Sequence, residues 1–191
     1  SDGNTAVHYA TILPFFSVTL EAVMNICKIL EKSGSVFNLK NHQHESPLQL
    51  CLSPKLWKAA SEKSCWGPPV MGLVEICKFL LRNGCSITHR FQNAESIFHR
   101  IISLFQQSLE ISEPTPRMGA VLVLTDILIL MSPDEAAVRT AVNYSTERLN
   151  SPLHFWASIV LKSPQNYASL ENEEHTFERI MQKIFDHLLK C

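Results

Sequence analysis

The densest group of potential ligands and proton carriers in this chain is His42-Gln43-His44-Glu45. Two imidazoles two residues apart share one side of an extended strand and could meet a metal ion from there. No Cys or third His stands at a recognised metal-binding spacing from them, and the same four residues describe an ordinary solvent-facing turn. The six cysteines, at positions 27, 51, 65, 77, 85 and 191, contain no Cys-x-x-Cys pair. A Gly-x-Ser-x-Gly elbow, a phosphate-binding glycine loop and a His-Glu-x-x-His helix are all missing. No nucleophile is set beside a base. The expectation is a protein that is not an enzyme, with no catalytic residue, no cofactor and no metal site.

The other informative histidines belong to a phrase that occurs four times. It reads Thr5-Ala6-Val7-His8-Tyr9-Ala10, Ser46-Pro47-Leu48-Gln49-Leu50-Cys51, Ser96-Ile97-Phe98-His99-Arg100-Ile101 and Ser151-Pro152-Leu153-His154-Phe155-Trp156. Each copy has a hydroxyl residue, a small or apolar residue, an apolar anchor, then His or Gln. The hydroxyl residue caps the free N–H groups at a helix start. Pro47 and Pro152 then fall at the first helical position, where a missing N–H costs nothing. Recurrence on this scale is the signature of stacked repeats, which present a surface rather than a closed pocket.

A second half follows the phrase. Ile26-Cys27-Lys28-Ile29-Leu30 leads to Gly34-Ser35-Val36-Phe37-Asn38, and Ile76-Cys77-Lys78-Phe79-Leu80 leads to Gly84-Cys85-Ser86-Ile87-Thr88. Glycine suits a helix exit through a left-handed residue. With both halves present, the chain resembles the ankyrin repeat family, whose units open with Thr-Pro-Leu-His-x-Ala and close with Gly-Ala-Asp-x-Asn. Asp2-Gly3-Asn4 is similar to the tip of that family's hairpin finger. The third phrase departs from the family in lacking the Pro and in having Ile101 for Ala, and no Gly-Ala-Asp-like finger precedes the fourth.

The resemblance implies an all-α, ankyrin-like helical-repeat solenoid of about four helix pairs with short β-hairpin fingers. Its units would span residues 1–41, 42–91, 92–146 and 147–191 of a single block. It implies that His8, His99 and His154 hydrogen-bond neighbouring backbone and brace the fingers. It also implies a non-catalytic module that grips a protein partner along a concave strip of finger tips and inner helices. The candidate contacts are Lys40, His42, Gln43 and His44 on the first complete finger, and His89, Arg90 and Gln92 on the second. Each is equally read as a solvated turn residue. The alternative is an architectural spacer within a large multidomain protein, whose enzymatic activity, if any (a helicase-like ATPase, for example), lies outside this chain.

Composition fits a water-exposed block of one domain's size, with 191 residues, 46% hydrophobic, 18% charged and a net charge of −1. Near-neutrality offers no electrostatic reason to expect nucleic acid or an acidic membrane surface. The expectation is a monomer with a protein partner of unknown identity. Cys27 and Cys77 hold the same place in two helices and Cys51 replaces the family's small core Ala. Cys27, Cys51 and Cys77 read as buried, reduced thiols, which fits an intracellular location, cytoplasmic or nuclear. The most apolar run, Met118 to Met131, contains Asp126 and is shorter than the roughly 18 residues needed to span a bilayer. It reads as the buried outer helix of the third unit. No signal peptide opens the chain, which reads as a piece of something longer.

Helices are expected over 5–12, 17–32, 46–52, 70–82, 95–108, 117–131, 134–143, 151–161 and 173–190. Insertions then fall at Ser53–Pro69, Glu110–Pro116 and Ser163–Asn172. The first holds Trp57 and Trp66, which either fold back onto their own unit or stand exposed as aromatic anchors for a partner. The last helix carries a broad apolar stripe, including Ile184, Phe185, Leu188 and Leu189, with little sign of a polar cap. That stripe predicts a further helical unit after it.

Overall fold

The computed structural model describes residues 2–62, 72–91, 93–109, 111, 114–131, 182 and 186. The helices expected at 134–143, 151–161 and 173–190, and with them the fourth unit, lie outside these residues. So do Trp66, Gln92, His154, Cys65 and Cys191.

Among the described residues the bounded α-helices are, in chain order, α1 (Ala6–Ile12), α2 (Leu20–Lys32), α3 (Pro47–Cys51), α4 (Pro54–Glu62), α5 (Leu73–Arg82), α6 (Ile97–Leu109) and α7 (Pro114–Leu130). A 3-10 turn, Leu13–Phe16, joins α1 to the approach of α2. The described residues form an all-α structure without a strand.

The recurring phrase builds the same start three times. Thr5 Oγ1 accepts from the His8 N–H at 3.5 Å, Ser46 Oγ from the Gln49 N–H at 3.3 Å, and Ser96 Oγ from the His99 N–H at 3.4 Å. The return bond is also made each time. The N–H groups of Thr5, Ser46 and Ser96 donate to His8 Nδ1, Gln49 Oε1 and His99 Nδ1 at 3.1, 3.0 and 3.3 Å. This reciprocal pair is the capping box, with histidine taking the part usually given to Glu or Gln.

The helix exits repeat as well. Gly34 and Gly84 adopt φ of 74° and 85°. The N–H of the next residue reaches back to the helix in both, Ser35 to Leu30 O and Cys85 to Leu80 O, each at 3.0 Å. These glycine-terminated stops satisfy carbonyls that the helix end leaves open.

Helix α1 packs against α2 and α3, α3 against α5, α5 against α7, and α6 against α7. Val7, Cys27, Leu48, Ile76, Phe98 and Leu124 belong to one continuous core running through these contacts. Helix α7 is apolar on nearly every side and buries Ala120, Val121, Val123, Leu124 and Ile127, leaving Leu122 and Asp126 exposed. Its Thr125 hydroxyl donates to Val121 O at 2.8 Å, so its buried polar atom is satisfied. The buried helix expected here is therefore present. No helix among the described residues is long and apolar enough to cross a membrane.

No strand is assigned to the loops among the described residues. The tip of the first is closed by Asn41. Its side-chain oxygen accepts from the N–H groups of Gln43 and Glu45 at 3.0 and 2.9 Å, and its own N–H donates to Glu45 O at 2.9 Å. Residues 53–69 are not wholly an excursion, because Pro54 opens α4 and the Ser53 carbonyl accepts from Leu56 and Trp57. Helix α2 starts at Leu20 rather than 17, after the Thr19 side chain accepts from the Ala22 N–H at 3.4 Å.

Candidate functional site

The two loops that follow α2 and α5 end in turns of the same build. Asn41 N–H donates to Glu45 O and His44 N–H to Asn41 O. Phe91 N–H donates to Glu95 O and Ala94 N–H to Phe91 O. His44 and Ala94 both sit at left-handed φ, 59° and 61°, and Gly3 holds the matching place before α1 at 69°. The tips lie side by side at the start of the block. His42 N–H donates to Asp2 O at 2.9 Å, and Asn41 Nδ2 donates to Asn4 Oδ1 at 2.9 Å.

This geometry presents Lys40, His42, Gln43 and His44 to solvent on the first loop, and Arg90 on the second. His89 is half-buried. Its pKa is held below the ordinary histidine range, chiefly by burial and then by the Lys40 ammonium. The two loops thus bring Lys40 and His89 within electrostatic reach. His89 Nδ1 is a buried nitrogen without a hydrogen-bond partner among the described residues.

Residues outside the sequence-derived set complete the surface. The Arg100 guanidinium stacks over the Phe91 ring, 4.0 Å from its centroid, and bridges to Glu95 at 3.2 Å. Glu45 is half-buried, which pushes its carboxyl pKa up against the opposing pull of Arg100 and Lys55. The phrase itself carried a signal for Arg100, which stands directly after the capping His where Tyr9 and Leu50 stand in the other copies. Nothing local marks Lys55 or Glu45 as neighbours of Arg100.

Two phrase residues brace the loops through long-range bonds. His8 Nε2–H donates to Glu45 O at 2.9 Å, and Gln49 Nε2 donates to His89 O at 3.4 Å. The second bond lands further from its loop's tip than the first, so the two braces are related but not identical.

Trp57 leaves the candidate set. It is only 3% exposed, packs edge-to-face on Phe15 with centroids 6.1 Å apart, and donates from Nε1 to Cys51 O at 2.9 Å. Placed on α4 against the 3-10 turn, it fills the core and satisfies a helix-end carbonyl, leaving no face for a partner.

The four described thiols lie in surroundings that do not activate a nucleophile. Cys27, Cys51, Cys77 and Cys85 are free and buried. Burial, then the neighbouring Cys51, pushes Cys27 up to about 11 and Cys85 up to about 12. Hydrogen bonding to Cys51 and burial raise Cys77. The reactive species is the thiolate, which these surroundings suppress. Among the described residues no group of three or more His, Cys, Asp or Glu is placed to hold a metal ion.

No family model, curated protein or solved structure matches the chain at a significant level.

Proposed function

We propose that the chain is an ankyrin-like repeat solenoid acting as a non-catalytic protein-interaction module, with the loop tips and adjoining helix starts as its binding strip. The observation that carries this reading is the recurrence of one capped helix start and one left-handed loop tip at three successive places. It sets Lys40, His42, Gln43, His44 and Arg90 in solvent on neighbouring loops. A strip of donors on a braced backbone suits a partner segment rich in carbonyl or carboxylate acceptors, with little ordering cost on the protein's side. Free buried thiols favour a reducing compartment for the module, cytoplasmic or nuclear. A spacer role draws its support from the exposed apolar residues Ile29 and Val36, which a neighbouring domain could cover.

The discriminating experiment uses the immobilised chain and a variant with Lys40, His42, Gln43, His44 and Arg90 all exchanged for alanine. A binding module loses its partners from cell extract in the variant while its melting temperature stays within a degree or two. Capture that survives the exchange removes the loop tips from the binding strip and favours the spacer.

A further inference from the structure

The contact between the first loop and the second helix pair has three parts. Phe37 meets Phe79 of α5 edge-to-face, with centroids 5.4 Å apart. The Phe37 carbonyl accepts from Cys85 Sγ at 2.8 Å. Asn38 Oδ1 accepts from the Ser86 N–H at 3.3 Å. The receiving surface is therefore one side chain of the helix plus the two residues after its glycine stop.

The same surface exists one helix pair earlier. The matched left-handed glycines Gly34 and Gly84 and their matched back-bonds fix the register. It sets Ile29 at the place of Phe79, Ser35 at that of Cys85 and Val36 at that of Ser86. Here the surface is bare. Ile29 is 65% exposed and Val36 58%, and among the described residues the Val36 N–H has no acceptor. Single exposed apolar side chains need no explanation. These two coincide with the positions that receive a loop elsewhere in the molecule.

The closing half of a loop for this seat is also present. Gly3 holds the left-handed place of His44 and Ala94, and Asp2 and Asn4 already bond to His42 and Asn41 of the next loop. In the first complete loop, the residues ahead of this closing half are the ones that reach back onto the following helix pair. We propose that Ile29, Ser35 and Val36 seat the upstream half of the loop that residues 2–4 close, supplied by the same polypeptide ahead of residue 1. The occupant presents a large apolar side chain at the position of Phe37, then a hydrogen-bond acceptor at that of Asn38.

The test compares the 191-residue chain with one lengthened by about 33 residues that its own gene encodes ahead of Ser1. Amide exchange at Ser35 and Val36 should slow at least tenfold in the longer chain. Ile29→Lys should leave the melting temperature of the 191-residue chain unchanged, yet lower that of the longer chain and restore fast exchange. Ile29→Leu should keep the protection. Equal exchange in the two chains overturns the proposal, as does an upstream sequence with a charged residue at the Phe37 position. Concentration-dependent association of the shorter chain, abolished by Ile29→Lys, would make a second copy the occupant and overturn it too.

Discussion

At the scale of single residues, the capping histidine does two jobs that require it to stay neutral. His8 Nδ1 accepts from the Thr5 N–H at 3.1 Å while Nε2–H donates to Glu45 O at 2.9 Å. Protonating Nδ1 would set a donor against a donor. Burial holds the pKa below the ordinary value, with the Glu45 bond pulling partly the other way. The unfolded imidazole protonates near about 6.5, so below that pH the unfolded state binds more protons than the folded one. Stability is then fully present above the unfolded value and is lost as pH falls through it towards the folded value. The melting temperature should drop between about pH 7 and pH 5, and His8→Gln should make the drop shallower. Gln49 already performs both jobs in the second phrase, which is why glutamine is the right replacement. His89, lowered by burial and Lys40, keeps its own share, so the slope flattens without vanishing. An unchanged slope in His8→Gln would remove His8 from the account. The thiols give a second prediction at this scale. With Cys27 at about 11 and Cys85 at about 12, both buried beside Cys51 and Cys77, none of the four should react with an aromatic disulfide reagent in the folded chain. Peptide mapping after unfolding should find all four modified.

At the scale of elements, the glycine stops separate backbone strain from steric conflict. A methyl group at Gly84 would meet nothing within 4 Å, so Gly84→Ala tests the left-handed backbone alone. It should cost about 1–2 kcal/mol, read as a shift in denaturant midpoint at unchanged slope. Gly3→Ala should cost more, because its methyl would lie 2.5 Å from His42 Cδ2. A Gly84→Ala variant as stable as the parent would mean that the stop relaxes without loss. These stops and the Ser/Thr caps were legible in the sequence because each depends on residues within one turn of itself. The polar loop tips were legible for the same reason. What depended on distant partners was not. Ser53-Pro54 has the form of a cap followed by a first-turn proline, but the Gly-Pro-Pro run beyond it made the segment read as an excursion, and α4 was missed. Residues 110–116 read as an insertion, although Pro114 opens α7, whose first turn tolerates proline. The cluster of Arg100 with Phe91, Glu95 and Glu45 joins residues from separate loops and a helix start, which no local pattern records.

At the scale of the molecule, helices from successive parts of the chain pack on one another, α1 on α3, α3 on α5 and α5 on α7. Trp57 ties α4 to the 3-10 turn after α1 and to the last carbonyl of α3. Trp57→Ala should therefore cost about 3–5 kcal/mol in chemical denaturation, as a core residue would and an exposed anchor would not. The junction of Phe37 with Phe79 tests the architecture itself. Phe37 is buried in the loop after α2, and Phe79 belongs to α5, so their edge-to-face contact spans two helix pairs. A double-mutant cycle of Phe37→Ala and Phe79→Ala should return a coupling of about 0.5–1.5 kcal/mol, the range for such aromatic pairs. Where each pair touches only its neighbours, loosening one junction leaves distant junctions intact. Amide exchange in Phe37→Ala should accordingly quicken in α1 and α2, while the buried amides of α6 and α7 keep their protection relative to global unfolding. Equal acceleration in all four helices would mean that the described residues open as one cooperative body. The junction would then be ordinary core packing rather than one link in a stack.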